Sequence, residues 1–222
     1  VLFDANSIKL YKQKLFPLGW PKTDVRGKLF WKVKASRLSV VIPGINFDST
    51  LPGFKSNKGV IEKREVITNL SGNFYVPKDA NGNYNIRKTK VALIANSRGE
   101  NVAPIVPYFL PHNLPSGALD WLTQGIVKVP KTTARMIWSG VVGDYPYLDN
   151  RGAFDVRVEL VNSQLKPWHD WPLVTGLNGS LDFFHDQFKA VVTDAKSMGV
   201  QTKDLTITIP HMHGHKLHWI EG

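Results

Sequence analysis

Apolar and polar residues alternate with a period of two along much of this chain, the pattern of strands that bury one face. Leu38, Val40 and Ile42 alternate after the Leu29–Val33 stretch, and Pro43-Gly44 is expected to end that strand. Asn46 to Gly59 is rich in Asp, Ser, Asn, Pro and Gly and reads as a loop. Strands are expected over 60–70, 91–95, 154–160 and 205–209. Asp79-Ala80-Asn81-Gly82 between Phe74–Val76 and Tyr84–Ile86 predicts a hairpin, because Asn-Gly accepts positive φ. Pro104 and Pro107 demote 102–109 to an edge strand or an extended segment.

Two stretches have a helical period instead. Ser116 caps a short expected helix through Ala118, Leu119, Trp121 and Leu122. A longer one is expected from Ser180 to Met198. There Leu181, Phe184, Phe188, Val191, Val192 and Ala195 make an apolar stripe, Asp182 and Asp186 suit the positive end of the helix dipole, and Gly199 suits the C-terminal cap. The expected fold class is α+β: a mainly antiparallel sheet of meander and hairpins, one long helix near the C-terminus and one short helix. The expected organisation is a single domain over 1–222. Any subdivision would fall near 101–115, between a basic strand-rich part (1–100) and a strand–helix–strand part (116–222).

Charge refines this picture. The chain holds 28 Lys and Arg against 18 Asp and Glu, and residues 1–100 carry 18 and 7 of them, leaving 10 and 11 for the rest. An excess of cations confined to one half points to a negatively charged partner, most often nucleic acid. There is no cysteine, which excludes disulfides, thiolate metal sites and a cysteine nucleophile. No apolar run reaches the ~20 residues of a membrane helix, and Val1–Asp4 does not open a basic-then-apolar leader. These readings predict no membrane partner and a cytoplasmic location, or the virion if the protein is viral.

The expected nucleic-acid contacts are basic residues interleaved with aromatics: Lys9, Lys12, Lys14, Trp20, Lys22, Arg26, Lys28, Trp31, Lys32, Lys34 and Arg37, joined by Tyr84, Arg87, Lys88 and Lys90 from the hairpin. Cations track phosphates and aromatic faces stack on bases in single-strand binding. The first expectation is therefore a non-catalytic binder of single-stranded DNA or RNA, a replication accessory or ribonucleoprotein subunit. A second is a virion or assembly protein forming homo-oligomers or larger assemblies, since Trp and Arg are enriched at interfaces.

A third reading is a metal-dependent hydrolase or nuclease. His211, His213 and His215 alternate within a run holding four of the seven histidines, and on an extended segment they share a side from which they could bind zinc. No other cofactor is expected. Asp155, Arg157 and Glu159 lack the following Lys of a nuclease and read as a solvated strand face, and no phosphate-binding Gly-rich loop or nucleophile elbow occurs. No residue is assigned a catalytic role.

Overall fold

Alternation governs the fold more widely than expected. The structure is a computed structural model and describes residues 2–8, 21–55, 59–109, 119–167, 170–212 and 219–221. They form one antiparallel sheet of twelve strands. In chain order these are β1 (Leu2–Ile8), β2 (Lys22–Lys34), β3 (Arg37–Lys55), β4 (Ile61–Pro77), β5 (Lys90–Glu100), β6 (Ile126–Lys128), β7 (Lys131–Val141), β8 (Ala153–Leu165), β9 (Val174–Phe184), β10 (Gln187–Ser197), β11 (Val200–Ile209) and β12 (Trp219–Glu221). Spatial order is the same as chain order from β1 to β12, except that the short β6 leaves the path and pairs with β8.

The class is therefore all-β rather than α+β. No long helix forms at Ser180–Met198: that segment is the end of β9 from Ser180, a two-residue turn at His185-Asp186, and β10. Most of its apolar residues also fit period two, while Phe184 and Val191 stand on the opposite face. Leu181 and Phe183 pair with Ala190 and Phe188, so period two places them on one face, and the run Val191-Val192-Thr193 favours a strand. Met198 and Gly199, read as a helix end, both have positive φ and close the β10–β11 hairpin. Ser116 and Ala118 of the short expected helix lie outside the described residues. Trp121 and Leu122 belong to a helical turn that ends at Gly125.

The loop expected over 46–59 is also largely strand. Pro43-Gly44 and Pro52-Gly53 do not end β3. They are absorbed by irregularities in its pairing with β4, between Ile42 and Ile45 and between Leu51 and Phe54. Bulges are where a strand tolerates proline. Residues 102–109 form turns and a 3₁₀ turn (Val106–Phe109) instead of an edge strand. Among the described residues no helix is long and apolar enough to cross a membrane.

Three glycines have positive φ within strands and let neighbouring atoms approach closely. Gly72 (φ 148°), Gly140 (φ 132°) and Gly179 (φ 154°) sit on the same face of β4, β7 and β9. A Cβ at Gly72 would lie 2.1 Å from the Ala92 carbonyl oxygen, and one at Gly179 would lie 2.1 Å from that of Val191. Only glycine lets neighbouring backbones approach this closely, and such residues introduce curvature into long sheets.

An apolar face and a polar face

Directly paired residues on neighbouring strands point to the same side of a sheet. Tracing the pairs across this sheet separates two surfaces. Ile45, Leu70, Ala95, Met136, Val156, Phe183, Phe188 and Ile209 are successive partners from β3 to β11, a row without one polar side chain. The adjacent row on the same face runs from Val25 through Phe47, Thr68, Ser97, Ala134, Val158, Leu181 and Ala190 to Ile207. Its two hydroxyls, Thr68 and Ser97, hydrogen-bond each other at 2.8 Å, so the interruption carries no unpaired polar group.

One residue along each strand the character reverses. Arg26, Asn46, Asn69, Asn96, Arg135, Arg157, Asp182, Lys189 and Thr208 are successive partners on the opposite, outer face. Arg157 is paired there with Glu159 at 2.7 Å and with Asp182 at 3.6 Å. The hydrogen bond to Glu159, then the charge of Asp182, raises the Arg157 pKa further and keeps it charged. The outer face also carries a polar depression of about 430 Å³ that includes Asp24, Arg26, Asp48 and Arg98.

The apolar face is covered unevenly. At the β5–β7 connection, Val102 packs over Gly99, where a Cβ would lie 2.2 Å from its Cγ1, and Val129 and Trp121 join the same cluster as Leu160, Leu177 and Leu181. At the opposite end of the strands, the fully buried Tyr147 fills the space left by Gly140 and Gly152. A second cluster lies on β2–β4, where Val25, Ile42 and Ile45 are buried and Leu29, Val40, Phe47, Leu70 and Phe74 pack against them. Toward the β2–β3 turn cover is lost: Trp31 and Val33 are 55% and 57% exposed.

The expected nucleic-acid residues are partly dispersed. Lys9, Lys12, Lys14 and Trp20 lie outside the described residues. Lys22, Arg26, Lys28, Lys32 and Lys34 all stand on the outer face of β2, but Trp31 stands on the apolar face, away from those cations. Tyr84, Arg87 and Lys88 belong to the β4–β5 connection, where Tyr84 lies under the Lys78 ammonium, 5.2 Å from the ring centroid. Lys88 and Lys90 do converge with Arg37, Tyr75 and Pro77 on a cleft of about 460 Å³. Of the histidines read as metal ligands, His213 and His215 lie outside the described residues. His211 is exposed, with Nδ1 3.5 Å from Oδ2 of the buried Asp186. Among the described residues no group of three His, Cys, Asp or Glu could hold a metal ion.

The apolar face is a candidate functional surface that no single segment announces. Its signal was there in the alternation of each strand, but which alternate residues share a surface is fixed only by register.

The family model described as YhdP protein matches residues 24–221. A 110-residue stretch, 49% of this chain, is 32% identical to a protein of Escherichia coli (strain K12) named intermembrane phospholipid transporter YhdP. The matched stretch spans 9% of that protein's length. No solved structure matches the chain. These matches overturn the expected nucleic-acid binder and the expected virion or assembly protein. They also overturn the expected nucleic-acid partner, the expected lack of a membrane partner, and the cytoplasmic or virion location. The charge asymmetry misled because an excess of cations attracts any polyanionic surface, and anionic lipid headgroups are one.

Proposed function

The chain belongs to the YhdP family, and on that premise we propose that its apolar sheet face holds the acyl chains of phospholipids in transit between membranes. The observation that carries this reading is the unbroken apolar row from Ile45 to Ile209 beside a polar row one residue away. Seven strand spacings of ~4.8 Å make this row ~34 Å wide, far more than one strand pair needs to stay folded. An acyl chain moving along it would meet no unpaired polar group and would stay out of water, where each exposed CH₂ costs ~0.8 kcal/mol. The headgroup would remain hydrated at the margin of the sheet. The relative's printed name, which describes transport of phospholipid between membranes, supports this use of the face.

Loading with a fluorescent short-chain phospholipid, supplied below its aggregation threshold, tests the reading. Ala95 faces the apolar side and its neighbour Ile94 the outer side. Ala95→Asp should abolish loading, and Ile94→Asp should leave it intact. Val156→Thr keeps the side-chain shape while adding one hydroxyl and should weaken loading without loss of fold. Equal loading by all three variants would remove the reading.

A further inference from the structure

We infer that the tip of the β2–β3 hairpin, with the basic cleft beside it, docks this domain onto an anionic phospholipid bilayer. The proposal rests on the lipid-carrying reading for the direction in which lipid would enter. The docking surface has its own grounds.

The hairpin closes through Ala35 and Ser36, with Lys34 paired to Arg37. Near this turn Phe30, on the outer face, and Trp31 and Val33, on the apolar face, are each more than half exposed. Between them Lys32 and Lys34 point outward. Large apolar side chains at a strand tip, interleaved with lysines, match a bilayer interface. Rings and aliphatic groups sit at headgroup depth there while ammonium groups meet lipid phosphates.

The surroundings strengthen the charge argument. The Ser36 carbonyl accepts from the Lys78 amide, which ties the hairpin to the β4–β5 connection. That connection brings Lys88 and Lys90 to Arg37 around the cleft. Asp79 is the one acid in the segments 28–41 and 75–92, and its carboxylate is engaged by the Asn81 and Asn83 amides. The connection also exposes Ile86. The far end of the strands exposes Ile61 and Val200 too, but there Glu62, Glu65 and Glu100 sit among the basic residues, whereas the tip side has Asp79 alone.

Geometry makes this tip a way onto the apolar face. Trp31 continues into it through Val40, Phe74 and Val91. Farther along the same end, Tyr147 fills the face beneath β7 and β8. An acyl chain leaving a bilayer at the hairpin would thus meet Trp31 and Val33 first.

Co-sedimentation of the 222-residue chain with vesicles of equimolar phosphatidylglycerol and phosphatidylcholine tests the docking. Binding is expected, weakening with salt and with removal of phosphatidylglycerol. Lys32→Glu with Lys34→Glu should lower it by more than about tenfold. Phe30→Ser, which leaves every charge in place, should lower it too. Charge reversal at Lys196 and Lys203, away from the tip, should leave it unchanged. Absence of vesicle binding, equal binding by the tip variants, or equally tight binding to soluble polyphosphate that Phe30→Ser leaves unchanged would each overturn docking. Self-association lost in Phe30→Ser would also overturn it, showing that the tip meets a second copy of the chain. Loading of monomeric phospholipid needs no bilayer, so a chain that loads but does not bind vesicles fails docking alone, and one that binds vesicles but does not load fails only the lipid-carrying reading.

Discussion

The indole Nε1–H of Trp138 donates a 2.8 Å hydrogen bond to the hydroxyl of Tyr147, joining the end of β7 to the connection between β7 and β8. Tyr147 has positive φ (60°) and a fully buried ring, held where a Cβ at Gly152 would lie 2.5 Å from its Cδ1. Removing the hydroxyl in Tyr147→Phe leaves a part-buried indole donor unpaired. The expected cost is ~1–3 kcal/mol in urea unfolding. In a double-mutant cycle with Trp138→Phe the two changes should be less than additive; full additivity would mean the bond contributes nothing.

The strand glycines make a sharper claim. Gly72→Ala and Gly179→Ala place a methyl against a neighbouring carbonyl oxygen at a φ that L residues rarely adopt. Each should cost at least ~1–3 kcal/mol from backbone strain. Gly44→Ala is the matched control, since a Cβ there meets nothing within 4 Å, and it should fall within about 0.5 kcal/mol of the parent. Thermal melts of the three variants would rank them.

Leu160 tests how firmly the β8–β11 part of the apolar face is packed. It is buried among Leu165, Leu177, Leu181 and Val192. Leu160→Ala should destabilise by ~2–5 kcal/mol if the neighbours cannot collapse into the space. A cost below ~1 kcal/mol would show this region to be loosely packed.

Tyr145 should give a late step in alkaline titration. Burial first, and then the charge of Asp186, raises its pKa above the ordinary 10.0. A folded pKa above the unfolded one favours the protonated phenol. Its contribution to stability is therefore fully present below about 10 and is lost as pH rises through the folded value. Absorbance of the ionising phenols should show one delayed tyrosine, and Tyr145→Phe should remove it.

Much of the sheet was written in local alternation, and Phe154 to Leu160 shows why: one side of that strand is apolar and the other charged, so no other period fits. Ser180–Met198 failed because Phe184 and Val191, which stand on the outer face, completed a helical stripe that masked the alternation of Leu181, Phe183, Phe188 and Ala190. The turn at His185, with φ 52°, would have decided it, yet a histidine in a left-handed turn leaves no compositional mark. Pro43 and Pro52 misled in the other direction, because the bulges that admit them depend on β4. The basic residues near the β2–β3 turn were legible as a charged surface. That Trp31 would leave them for the other face is set only by its partner Val40.

Nearly every strand pairs with its neighbours in the chain, and this makes the sheet extensible. A hairpin inserted at any turn could slot between existing partners without rewiring the others, adding two spacings, or ~10 Å, of width. The span of such a structure is in effect a count of hairpins, and evolution could lengthen or shorten it by duplicating or deleting one pair at a time.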